Sequence, residues 1–279
     1  MKEYQTRNVE SFYPGKPKKI GNLDFEYKKE FDARAVDKIC GFIQENTATP
    51  DYWAGVAVGI SDGLDGATAA ALSLKALGKE RVTAVIVNVG DTREHKEQTE
   101  LAIRSAQALG VTYEVFNASK IYQEFQKFIK ERGPFTDVNV STRIIQDIIF
   151  QVADEKNYAV VSTINKSEIL TGRIMEYFYG HIAPLTGLFK TEIFDLAKIL
   201  EVPGEIIARK PGGIDTWYDE DTFGVTYDTL DKVLYLLTVK NMTPKEIAKK
   251  YNSDEEWVKK LQVRTTHRFW RLATKDLCF

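Results

Sequence analysis

Two rhythms of apolar residues alternate along this chain. Short β-branched runs recur as "VAVGI" (56–60), "VTAVIVNV" (82–89), "TYEVFN" (112–117) and "AVVST" (159–163). Stretches of helical spacing lie around and between them. One spans about 31–47, where Val36, Ile39, Cys40 and Ile43 recur at steps of three or four. Others span Thr92 to Leu109 and Val140 to Lys156. Strands without polar alternation, separated by helices, predict a parallel sheet covered on both faces. The expected architecture is a doubly wound α/β fold, a parallel sheet flanked by helices, with ligands at the carboxyl ends of its strands.

The pattern changes at both ends. Residues 1–30 are polar and carry Pro14, Gly15 and Pro17, which reads as an extended N-terminal arm. The rest, 31–279, reads as a single α/β domain. Its last part, about 241–265, forms a C-terminal helical appendage. There "TPKE" places Thr243 as N-cap, Pro244 at the first helical position and Glu246 to close a capping box. "SDEE" (Ser253 to Glu256) repeats the signal. Two short helices in succession are compatible with a DNA-binding helix-turn-helix or with a helical pair packed on the core.

Composition bears on that choice. The formal net charge is −2, so no basic field speaks for nucleic acid, and the packed helical pair is the expectation. No apolar run approaches the roughly 20 residues that span a bilayer, and "MKEYQTRNVESFYPGKPKKIG" lacks the apolar core of a signal peptide. No membrane partner is expected. Two cysteines in 279 residues suggest free thiols in a reducing, cytoplasmic setting. Cys40, among apolar helix positions, reads as packing; Cys278 reads as incidental.

The candidate chemistry begins at "VAVGISDGLDGATAAALSLKALG" (56–78), a buried strand, a Gly-containing turn and a helix. Such a junction aims backbone N–H groups and the positive end of the helix dipole at an anion. Gly59, Gly63 and Gly66 would permit close approach or positive φ. No Gly-Lys-Ser/Thr follows, so this is not a Walker loop. Read alone, the turn is compatible with a phosphate site or with no ligand.

Further motifs change the picture. The loop resembles the S-G-G-x-D-S turn of the ammonia-dependent NAD synthetases, within the N-type ATP pyrophosphatase (adenine nucleotide α-hydrolase-like) group, with Ser61, Gly63 and Asp65 at matching positions. "VNVSTRIIQD" is similar to that family's N-I-Q-A-R segment, with Asn139 and Arg143 in register. "STINKSEILTG" resembles its G-T-x-N-K-S-E-x-x-x-G. "APLTGLFKTEIFDLAKILEVP" resembles its P-L-x-x-L-x-K-T-x-V, and "DEDTFGVTYDTLDKVL" its D-E-x-x-L-G-x-x-Y-x-x-L-D. "TPKEIAKKYNSDEEWVKKLQVRTTHRFW" covers its closing helices. The matches run in order from about residue 33 to 270.

The resemblance implies a ligase of NAD biosynthesis that amidates deamido-NAD with ammonia. ATP adenylates the carboxylate and pyrophosphate leaves; ammonia then attacks the acyl-adenylate and AMP leaves. It implies an ATP site at Gly59, Ile60, Ser61, Asp62, Gly63, Leu64, Asp65 and Gly66, with Thr163 and Lys190. Magnesium would be held by Asp65 and Glu168, and the acid substrate by Arg143, Glu176, His267 and Arg268. Such chemistry needs charge stabilisation around phosphates more than a side-chain nucleophile, so no catalytic residue is expected beyond the metal and phosphate ligands. Taken singly, Glu168 and Lys190 would read as solvated surface charges. A homodimer is implied. With no Cys-based glutaminase segment ahead of residue 33, ammonia is expected free or from a partner.

Departures from the family stand out at four places. Asp62 replaces a loop glycine; a carboxylate about 5 Å from a phosphate charge costs on the order of 3 kcal/mol per unit charge at an effective dielectric near 20. Gly66 replaces the loop's last serine and loses a hydroxyl donor. "RIMEYFYGHIAPL" is shorter than the family's segment, with Glu176 near the family's lysine and no aspartate before Pro184. "KPGGIDTW" likewise puts Gly212 or Gly213 where the family has a hydroxyl. These departures raise two alternatives: a paralogue adenylating another carboxylic acid, or a non-catalytic dimeric pseudoenzyme.

Overall fold

The computed structural model describes residues 14–27, 33–47, 53–133, 136–173, 180–212 and 218–266. Four parallel strands form the sheet: β1 (Gly55–Gly59), β2 (Val82–Asn88), β3 (Thr112–Asn117) and β4 (Tyr158–Val161), in the order β3-β2-β1-β4. β1 is central and pairs in register with β2 (Val56 with Val82) and with β4 (Gly55 with Tyr158). The chain leaves β1 toward one neighbour and later returns to its other side. The carboxyl end of β1 is therefore the switch point where such sheets hold ligands.

Strand side chains alternate between two cores. Val56, Val58, Ala84, Ile86, Ala159 and Val161 share one core with α2 (Leu64–Leu77) and α3 (Arg93–Leu109), and with α1 (Ala33–Glu45) and α7 (Lys190–Ile199), which pack on α2. Ala57, Val85 and Val160 face Ile149, Val152 and Ala153 of α5 (Thr136–Lys156). Both faces of the central strands are covered, which is why their sequences show no polar alternation. β3, the edge strand, is only half-buried. Helix α5 begins four residues ahead of the expected Val140. Helix α3 follows its Thr92 N-cap and stops at Gly110, whose φ of 70° ends the helix. Cys40 is buried, and its thiol is free.

Residues 180–182 run beside β4, joined by a parallel bridge between Val161 and Ile182. This incipient fifth strand is too short, and too close to Pro184, to show in the apolar pattern. Its His181 Nδ1 accepts from the Val160 N–H at 2.9 Å and packs against Trp53 and Phe150; burial lowers its pKa.

The remaining helices are α4 (Ser119–Gln126), α6 (Lys166–Thr171), α8 (Gly204–Ile207), α9 (Asp219–Phe223), α10 (Tyr227–Thr238), α11 (Pro244–Tyr251) and α12 (Glu255–Thr266). The capping box of α11 forms between Thr243 and Glu246 as expected. That of α12 does not use Ser253. Asp254 Oδ1 accepts from the N–H groups of Glu256 and Trp257, while the Ser253 hydroxyl turns back to the Tyr251 carbonyl. A carboxylate at the positive end of the helix is the stronger cap.

α10, α11 and α12 build a second core with Phe189 and Phe223, and the arm joins it through Leu23 and Tyr27. Lys18 N–H bonds Asp254 Oδ2 at 2.8 Å, and Trp257 Nε1 donates to the Gly15 carbonyl at 2.7 Å. Residues 14–27 thus run as a strap along the C-terminal helices. α12 also reaches α6, where Arg264 Nε donates to the Thr171 carbonyl at 2.5 Å.

Candidate active site

The β1–α2 turn closes as a phosphate-type junction. Gly63 is the N-cap of α2 and makes no side-chain cap; its N–H bonds Ser61 Oγ at 3.1 Å. The first turn of α2 therefore presents backbone donors toward the carboxyl end of the sheet. None of Gly59, Gly63 and Gly66 has positive φ, which corrects that part of the expectation. Gly66 serves close approach instead: a Cβ there would lie 2.7 Å from the Gly59 carbonyl oxygen. Its lack of a side chain lets α2 pack onto β1.

Polar residues from several elements converge beside this turn. Asp65, in the first turn of α2, pairs with the Lys190 ammonium. Lys190 opens α7, where the helix dipole disfavours a cation, yet its side chain is only 5% exposed. It is no solvated surface lysine. Burial lowers its pKa, but the Asp65 and Glu168 carboxylates outweigh that, and the group stays above its ordinary value.

Glu168 lies in the first turn of α6. It accepts from the Asn165 N–H at 3.0 Å, and its own N–H returns a bond to Asn165 Oδ1 at 2.9 Å. This capping box fixes the carboxyl. Burial and then the Asp65 charge push its pKa up to about 8, against the pull of Lys190 and the Asn165 N–H. Beyond it, Asp219 pairs with Arg173 and accepts from the Tyr227 hydroxyl at 2.7 Å.

A buried carboxylate supports the cluster from behind. Asp231, wholly buried on α10, accepts from Ser167 Oγ at 2.6 Å, Thr191 N–H at 3.0 Å and Thr191 Oγ1 at 2.9 Å. Ser167 Oγ is also the acceptor of the Lys190 N–H at 2.9 Å, and Tyr27 Oη lies 2.6 Å from Thr191 Oγ1. The elements carrying Glu168 and Lys190 are thus tied to α10 and to the strap. Burial raises Asp231 to about 6.

Asp65, Glu168 and Lys190 are brought together, with Ser61, Asp62 and Gly63 at the adjoining turn. Thr163 lies half-buried just past β4. Arg143 stands on α5, across the sheet from α2. Glu176, His267, Arg268 and Gly213 lie outside the described residues. At the turn itself, Asp62 pairs with the guanidinium of Arg209. The sequence alone does not single out Asp219, Arg173, Tyr227, Asp231 or Arg209. Asp219, Tyr227 and Asp231 do fall in the "DEDTFGVTYDTLD" stretch, which was the available signal. Arg209 had none.

Among the described residues no group of three or more His, Cys, Asp or Glu side chains is poised around a metal. Magnesium does not require one, since one or two carboxylates with substrate phosphates and water commonly suffice. Asp65 Oδ1 is buried with no hydrogen-bond partner among the described residues, and the Glu168 carboxyl feels the Asp65 charge. The pair fits a hard divalent cation.

Fold and cluster define a doubly wound α/β protein with an anion-type turn and a lysine–carboxylate site at its switch point. The NAD synthase family profile matches residues 35–273, and the chain belongs to that family. It is 35% identical over 244 residues to the NH(3)-dependent NAD(+) synthetase of Thermococcus sibiricus, covering 85% of this chain and 94% of that one. The Archaeoglobus fulgidus enzyme of the same name is 35% identical over 210 residues, 73% of this chain and 83% of the other. Among solved structures, an NH3-dependent NAD synthetase from Campylobacter jejuni superposes with a TM-score of 0.71 at 25% identity, over 89% of this chain and 100% of that one.

Proposed function

We propose that this chain amidates deamido-NAD to NAD with ammonia, driven by ATP, as a carbon–nitrogen ligase. The observation that carries this function is the buried Lys190 ammonium, held by Asp65 beside Glu168 at the turn between β1 and α2, in a member of the NAD synthase family. The broad similarity to ammonia-dependent NAD synthetases does not favour a paralogue with another acid or a non-catalytic protein.

A carboxylate oxygen of the substrate attacks the α-phosphorus of ATP, the bond to the bridging oxygen breaks, and pyrophosphate leaves. Ammonia then attacks the acyl carbon, and AMP departs with the carboxyl oxygen. Both steps move charge on phosphate and need positive groups in a dry setting. The α2 N–H groups and the Lys190 ammonium supply them, and Thr163 borders the nucleotide. Magnesium, held by Asp65 and Glu168, would add charge neutralisation at the phosphates. The acid substrate falls to Arg143, Glu176, His267 and Arg268. A cytoplasmic homodimer without nucleic-acid or membrane partners completes the proposal. Among the described residues no helix is long and apolar enough to cross a membrane.

The test is incubation of the full chain with ATP, deamido-NAD, ammonium and magnesium. NAD and AMP should form in equal amounts. No NAD at high enzyme concentration overturns the function.

A further inference from the structure

Asp62 is the loop residue whose charge opposes a phosphate site. Its side chain is 15% exposed and is paired with the guanidinium of Arg209, which is 39% exposed. Asp62 directly precedes Gly63, the N-cap of α2. An anion held by the α2 N-terminus would therefore sit beside this carboxylate. Arg209 comes from a different part of the chain, just after α8. A guanidinium presents five donors in a plane, and one pairing leaves others available.

We propose that Asp62 and Arg209 act as one charge-compensated unit at the triphosphate site, with Arg209 a specificity-determining residue that cancels the loop carboxylate and so admits a polyphosphate. The inference rests on ATP being the nucleotide substrate. Its energetic logic is Coulombic: a bare Asp62 repels a ligand in proportion to the ligand's charge. Removing Arg209 alone exposes that repulsion. Removing both charges leaves a glycine loop with neither the repulsion nor its antidote. The pair also explains how an aspartate is tolerated where the resembling family carries glycine.

The experiment measures binding of ATP, AMP and adenosine by calorimetry, with magnesium present. It uses the full-length wild type, Arg209→Ala, Asp62→Gly and the double variant. Arg209→Ala should weaken ATP by at least about tenfold, AMP by less, and adenosine by under about twofold, following the ligand charge. The double variant should recover ATP affinity to within about threefold of wild type, since the two effects are coupled. Unchanged adenosine binding shows that the variants are folded. Equal weakening of all three ligands, or a double variant no better than Arg209→Ala, overturns the proposal. So does an Arg209→Ala protein that binds ATP like wild type. A wild-type protein that binds ATP with this pattern but leaves deamido-NAD unchanged overturns the function and leaves the pair standing.

Discussion

Glu168 carries a carboxyl that burial and the Asp65 charge hold above its ordinary range, at about 8 against 4.5. The sign of the consequence follows from linkage. Below about pH 4.5 the folded and unfolded chains both keep the proton, and the group imposes no penalty. As pH rises toward 8 the unfolded chain releases its proton first, so folding stability falls through that window, and above it the loss is complete. Glu168→Gln should remove this contribution: urea unfolding followed from pH 4.5 to 8.5 should decline less steeply in the variant. Parallel profiles for the two proteins would sink the assignment. At this scale the residue types of the cluster were legible, because Asp65, Glu168 and Lys190 sit at fixed offsets in their motifs. Their burial was not. A lone Lys or Glu in sequence has the same composition whether it meets water or a counter-charge.

The β1–α2 unit shows how one element is limited by its neighbour. From sequence alone Gly66 is a lost hydroxyl. In the fold it is a contact distance, with the Gly59 carbonyl 2.7 Å from where a Cβ would stand. Placing the family's residue there, Gly66→Ser, should therefore destabilise the protein by about 1–3 kcal/mol through forced separation of helix and strand. Chemical denaturation measures it, and an unchanged midpoint would mean that α2 slides without cost. Most elements were readable because helix and strand periodicities are local properties of the chain. The edge position of β3, the one-bridge strand at Ile182 and the capping of α12 by Asp254 were not. Each depends on which surface the element meets or on a choice between adjacent side chains.

At the scale of the whole molecule, residues 14–27 form a strap along the C-terminal helices. Leu23, 5% exposed, and Tyr27 enter the core of α10–α12, and Tyr27 reaches Thr191 beside Lys190. Leu23→Ala should cost about 2–4 kcal/mol, as for other leucines deleted from cores. Thermal and urea melts of the full chain check it; a melting temperature equal to wild type would show that the strap adds nothing. The sequence by itself determined the alternation of strands and helices, the anion-type turn and the ordered motifs that resemble NAD synthetases, since all of these are written in spacings within short windows. Only the tertiary structure decided that Arg209 meets Asp62, that Asp231 ties α6 and α7 to α10, and that residues 14–27 pack against the C-terminal helices. Those pairings join residues far apart in the chain, and packing and charge compensation select them without leaving a local periodicity to read.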